Sequence, residues 1–136
     1  MSMRIAAIFA AGFSVLLLIA VILWEKSSDS AGQIVVGGLY ASKGDDGMFR
    51  ISKVLATDDS AVHVRVYKNK FKGLPKSIDS SSLSLGGVGD PDGFGIGHMP
   101  VAKTNWLASH VFVKKETVRE DELEGYRYYL EEMHKR

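Results

Sequence analysis

Four histidines, His63, His98, His110 and His134, are the residues of this chain best suited to chemistry. No two of them have the i, i+4 spacing that sets a pair of imidazoles on one helical face around a metal. His63 falls in a run that alternates in strand fashion and His110 opens another, so in a closed barrel the two could face each other. Joined by His98 they would supply three imidazoles, the donor number of a catalytic zinc site. A metal-dependent enzyme using His63, His98 and His110 is therefore one alternative, and it requires a pocket that joins all three. The carboxylate pairs Asp45-Asp46 and Asp58-Asp59 are neighbours in turn-like sequence. Acid–base catalysis needs two carboxyls in different environments, whereas adjacent residues of an exposed turn share one, so turn chemistry accounts for them better. The serines Ser80-Ser81-Ser82 lack a nucleophile-elbow context.

Gly93-Phe94-Gly95-Ile96-Gly97-His98 has neither the spacing of a dinucleotide fingerprint nor the Gly-Lys-Ser/Thr end of a phosphate loop. It reads as a tight loop in which Phe94 and Ile96 plug the end of a barrel, or as one that leaves His98 open to a partner's backbone. No catalytic residue, cofactor or resident metal is expected from these types and spacings.

The strongest charge cluster is Arg65, Lys68, Lys70, Lys72 and Lys76, with Tyr67 and Phe71 interleaved and no acid between Ser60 and Ile78. Such a set grips an acidic protein, anionic headgroups or nucleic acid; otherwise it is a solvated face, or it faces the acidic stretch 116–132 within the fold. Arg65, Tyr67, Lys68, Lys70, Phe71, Lys72 and His98 are the expected partner-binding residues. Net charge is +1, and Arg4 alone precedes Glu25, so the remainder is balanced and argues against nucleic acid. The absence of cysteine excludes disulfides, thiolate metal sites and a lipidated cysteine.

The elements that must position these residues are mostly strands. Met48–Thr57 and Ala61–Tyr67 read as a hairpin around Asp58-Asp59-Ser60. In the second run Val62, Val64 and Val66 form a buried face, and His63, Arg65 and Tyr67 a polar, amphipathic one. In the first, Phe49, Ile51 and Leu55 share a face that Lys53 interrupts. Ile34–Tyr40 reads as an earlier strand, Ala41–Gly47 as a loop, Lys68–Lys76 as a basic loop and Ser82–Leu85 as a short alternating piece. Asp90–Pro100, rich in glycine and proline, holds no long regular element. Ser109–Lys114 is a last strand. A helix over 118–134 follows, with Thr117 as N-cap, Glu120 in the capping-box position, and Leu123, Tyr126, Leu130 and Met133 as its apolar stripe. Gly125 inside it costs about 1 kcal/mol relative to alanine, so something packs against it or the helix is locally soft.

Ahead of all this stands Ile5–Trp24, twenty uncharged residues. As a helix it spans roughly 30 Å, the hydrocarbon thickness of a bilayer. Arg4 before it, and Glu25, Lys26 and Asp29 after it, predict a cytosolic N-terminus and an exported C-terminal domain; Trp24 suits the interface. The expected organisation is a signal anchor over 1–24, a linker over 25–33 and an exported β-rich domain over 34–136. The alternative is a signal peptide cleaved near Ser30, leaving a secreted or periplasmic domain.

Gly38 to Tyr67 (GLYASKGDDGMFRISKVLATDDSAVHVRVY) resembles the opening of SH3-like and Tudor-type barrels: a short strand, a long loop, a strand ending KVL, an acidic turn and alternating valines. The resemblance implies a mainly β (α+β) fold, a small, partly open SH3-like β-barrel with a C-terminal helix. Lys53–Tyr67, Gly93–His98 (GFGIGH) and Glu122–Arg127 (ELEGYR) together resemble a family of small, uncharacterised bacterial membrane-anchored proteins, which implies a bacterial origin and a shared domain. The expected function is non-enzymatic: a protein-binding module tethered to the inner membrane through Ile5–Trp24 and facing the periplasm. An immunity-type protein neutralising a periplasmic toxin is one such role, and an accessory subunit of an envelope complex is another.

Overall fold

Alternating valines and a tight acidic turn build the centre of the fold. Strands β2 (Phe49–Thr57) and β3 (Ala61–Phe71) pair antiparallel across that turn. There the Asp58 carboxylate accepts the Ser60 and Ala61 backbone N–H groups at 2.8 and 2.7 Å, while the Asp58 N–H donates to the Ala61 carbonyl at 3.0 Å. The computed structural model describes residues 32–136. Ile5–Trp24, the cleavage point near Ser30 and most of the linker lie outside the described residues. Among the described residues no helix is long and apolar enough to cross a membrane.

Strands β1 (Gly38–Lys43), β4 (Ile96–Ala102) and β5 (Val111–Lys115) complete one five-stranded antiparallel sheet, ordered β4-β3-β2-β1-β5. A short helix α1 (Trp106–Ser109) precedes β5, and a 3-10 turn (Glu120–Leu123) leads into the C-terminal helix α2 (Glu124–His134). The described domain is mainly β with a C-terminal helix.

Several boundaries differ from expectation, each for a physical reason. The first strand begins at Gly38, not Ile34, because the chain turns at Val35–Gly38: the Gly38 N–H donates to the Val35 carbonyl at 2.9 Å. Gly37 has φ +83°, and a Cβ there would stand 2.0 Å from the Glu116 carbonyl oxygen, so only glycine lets the start of β1 touch the end of β5. Residues 41–43 belong to β1 and 68–71 to β3 rather than to loops, since pairing continues through Lys43 opposite Phe49 and Phe49 opposite Phe71. Most unexpected is β4, which contains Gly97 and Pro100. It is an edge strand, the place in a sheet where proline is tolerated. Residues 80–82 form a 3-10 turn, and Leu83 and Leu85 then pack against the core without joining the ladder. Phe94 and Ile96 do not plug the core: they are 58% and 41% exposed, and Leu85 packs there instead.

Both faces of the sheet are covered. On one, Tyr40, Val54, Val62 and Val64 pack with Trp106 of α1, and Tyr40 meets Trp106 and Phe112 edge-on. On the other, Leu39, Ala41, Ile51 and Tyr67 pack with Ile78. Lys53, His63, Arg65 and His98 share this second face, and it is here that the C-terminal segment lies. The "polar" face of β3 is therefore interior. Thr117 is not the helix cap. The 3-10 turn starts at Glu120, and Glu122 accepts the Arg119 N–H at 2.9 Å; arginine has no acceptor, so only half of a capping box forms. Met133, expected on the apolar stripe, is exposed.

Gly125 has a packing reason. A Cβ there would lie 2.7 Å from the His98 Cβ. Alanine would help an isolated helix by about 1 kcal/mol, but overpacking costs about 1–3 kcal/mol. Gly125→Ala is expected to lower the urea midpoint of the protein, while the same change in a peptide of residues 120–136 raises its helicity by circular dichroism.

Candidate functional site

Two buried polar groups join the C-terminal segment to the sheet. The first centres on Lys53, which faces Arg65 across the β2–β3 ladder. Its ammonium donates to Glu122 Oε2 at 2.8 Å and to the Thr117 carbonyl at 2.8 Å, and Glu116 Oε2 lies 4.0 Å away. The Lys53 and Glu122 side chains are each only 1% exposed. Arg119 and Arg65 stand 3.5 and 3.8 Å from the other Glu122 oxygen. Burial pushes the Glu122 carboxyl up, but the Lys53 hydrogen bond, the Arg119 N–H and the surrounding cations outweigh it and hold the group below its ordinary value.

The second group is a chain of three side chains. His63, with no exposed surface, donates from Nε2 to Asp58 Oδ2 at 2.8 Å and meets His98 Nε2 through Nδ1 at 3.0 Å. The imidazoles are coplanar to within 9°, with centroids 5.3 Å apart, about what two rings joined end to end by one hydrogen bond require. Tyr126 and Tyr129 of α2 lie against both: Tyr126 is 4.7 Å from His63 and 5.9 Å from His98, and Tyr129 is 5.0 and 5.5 Å away. The His63 hydrogen bond, followed by the Ser60 and Ala61 N–H groups, holds Asp58 well below the carboxylate range. Burial, and then the charge on His63, lower His98.

These placements overturn the three-histidine set. His110 stacks on Trp106 with centroids 3.5 Å apart, in contact with the core of the other face, and its Nδ1 meets the Trp106 carbonyl at 3.1 Å. His63 and His98 aim their facing nitrogens at each other, so their lone pairs do not converge on a third point. Among the described residues no group of three or more histidine, aspartate or glutamate side chains is placed to hold a metal. The Asp58–His63–His98 chain can share and move a proton, and α2 covers it through Tyr126 and Tyr129.

The expected partner-binding residues divide. Arg65 lies beside Glu122, Tyr67 is 8% exposed in the core with its phenol pushed up to about 12 by burial and by the Glu122 charge, and His98 is under α2. Phe71 packs against the core. Lys68, Lys70 and Lys72 stay together at the far end of β3. Lys68 pairs with Asp90 at 3.0 Å and Lys70 with Asp46 at 3.6 Å, and Lys72 is exposed. An open cleft of about 670 Å³ beside them is lined by Lys68, Asn69, Lys70, Pro91, Asp92 and Gly93, and no imidazole reaches it. Sequence reasoning missed Lys53 and Glu122 as a pair. The available signal was a lysine interrupting an apolar strand face, a position that demands a buried acid.

The chain matches no protein-family model, no curated protein and no solved structure.

Removing one partner of a buried ion pair costs about 3–5 kcal/mol because the other charge is stranded. Lys53→Met is expected to lose that much, and Lys53→Met with Glu122→Leu to lose less than either single change, as read by a double-mutant cycle in urea. Acid acts on the same pair. The folded value of Glu122 lies below its ordinary 4.5, so its contribution is complete above about that pH and is lost as pH falls through the folded value. Melting followed from pH 6 to pH 3 should show this loss, and Glu122→Gln should show a smaller one.

Proposed function

We propose that this protein is a non-enzymatic, membrane-tethered protein-binding module of the bacterial envelope, anchored by Ile5–Trp24 with its N-terminus cytosolic and its domain periplasmic. The sheet is the frame of a partly open SH3-like barrel in this reading, supported by the return of β5 to pair with β1 at the far side of the β1–β4 meander. One observation carries the functional choice. His63, Lys53 and Glu122 are buried, Lys53 bonded to Glu122 and His63 to His98 and Asp58, rather than gathered around a cleft.

What remains outside is suited to binding. Lys68 and Lys70 border an open cleft, and Phe94, next in the chain to Gly93 on its rim, is 58% exposed. The Lys68–Asp90 and Lys70–Asp46 pairs are solvent-accessible and weak, so a partner's carboxylates can replace the internal ones. An acidic protein surface is the complement. An immunity-type inhibitor of a periplasmic toxin and an accessory subunit of an envelope complex both use such a surface.

Cross-linking and pull-down of the full-length chain from membranes tests the reading. A tight one-to-one complex supports the immunity role, and co-purification with a larger membrane assembly the accessory one. Reversing Lys68, Lys70 and Lys72 to Glu should weaken capture about tenfold or more with the melting temperature nearly unchanged. Undiminished capture would remove this face from the binding site.

A further inference from the structure

We propose that the Asp58–His63–His98 chain is an acid-sensitive clasp: it holds α2 on the sheet while the imidazole pair carries at most one extra proton, and it releases α2 when a second must enter. This rests on the geometry of the described residues and is independent of the tether and of any partner.

The closed cluster has a fixed number of places for ring hydrogens. Ionised Asp58 only accepts, so His63 Nε2 carries a hydrogen. Between His63 Nδ1 and His98 Nε2, 3.0 Å apart, there is room for one hydrogen. His98 Nδ1 can hold one more without disturbing either bond. The closed cluster thus accommodates three of the four ring hydrogens that two imidazolium ions carry. A fourth would set two N–H groups head to head in a buried site. Once His98 has moved away, His63 Nδ1 and His98 Nε2 no longer share one hydrogen and each can carry its own, so opening takes up one proton.

The fold decides which part moves. His63 sits in the middle of β3, fully buried and fixed by Asp58. His98 belongs to the edge strand β4, beside the ladder irregularity between Val64 and Val66. Its Cβ is the surface on which Gly125 rests, and Tyr126 and Tyr129 lie against its ring. Separation of His98 from His63 therefore displaces α2. The groups facing the pair are Asp58 from the turn, with the Lys103 ammonium on its carbonyl, Arg65 and Lys53 along the same sheet face, Glu122 from the 3-10 turn, and the Tyr126 and Tyr129 phenols from α2. Asp58 and Glu122 are both held below their ordinary range and remain ionised from about pH 5 to 7. The imidazoles are the groups of this set that gain charge there. Burial and the charge on His63 lower His98, the direction that opposes a second proton. Because Lys53–Glu122 stays intact in that interval, the 3-10 turn remains anchored while the helix beyond Leu123 lifts.

Hydrogen exchange of the full-length protein, corrected for intrinsic rates, tests this from about pH 7.5 to about pH 5. The opening constant for Glu124–His134 amides should rise by up to about tenfold per pH unit below about 6.5, with β2 and β3 amides unchanged. His98→Gln keeps an N–H for His63 Nδ1 but cannot charge, and should abolish the slope. A flat profile in the unmodified protein, an equal slope in His98→Gln, or equal loss of protection in β2 and β3 would each overturn the clasp. Should His98→Gln not fold, an NMR titration of the histidine ring protons in the unmodified protein decides. Uptake of the second proton must coincide with loss of α2 protection, and uptake with α2 still protected refutes the clasp.

Discussion

The Lys53–Glu122 pair is the constraint around which the domain is arranged. An ammonium in the middle of a central strand, with both side chains sealed from water, has no solvent to fall back on, so its hydrogen bonds must come from the chain. They come from 64 and 69 residues away, at the Thr117 carbonyl and Glu122. The pair thus specifies where the C-terminal segment lands and in what register. Its net energetic value is small by the general behaviour of buried ion pairs, because desolvation offsets most of the attraction. Its effect is on specificity: a helix displaced by one turn would strand Lys53.

Once the 3-10 turn is seated by Glu122, the rest of the helix follows along the same sheet face. Gly125 arrives over His98, and its missing side chain allows close approach. Tyr126 and Tyr129 then cover His63 and His98, which satisfy each other and Asp58. The opposite face is mainly apolar. There Trp106, carried on one helical turn between β4 and β5, closes an aliphatic layer of valines and Tyr40. The two layers divide the work: one supplies apolar burial, the other supplies a unique docking position for the C-terminus.

This arrangement bears on function by subtraction. Lys53, Glu122, His63 and His98 are occupied at the sheet–helix contact. The lysines at the end of β3 keep only exchangeable surface partners, next to a cleft and an exposed phenylalanine.

Local pattern in the sequence determined the β2–β3 hairpin, its Asp58 turn, a last strand near residue 111 and a C-terminal helix, because alternation, turn chemistry and helical periodicity depend on residues close in the chain. It also determined the uncharged run Ile5–Trp24 and the charges on either side of it. Only the tertiary structure decided which face of β3 was interior. His63, Arg65 and Tyr67 read as a polar, amphipathic face, and a segment more than fifty residues later covers them in a way that no local period encodes. The same is true of β4. Its glycine and proline argue against a strand everywhere except at an edge, and whether a strand lies at the edge is set by the order β4-β3-β2-β1-β5, a property of the assembled sheet. The basic cluster was broken up for the same reason: side chains adjacent in sequence point to opposite faces of a strand, so Arg65 and Tyr67 went to the interior while Lys68 and Lys70 found Asp90 and Asp46.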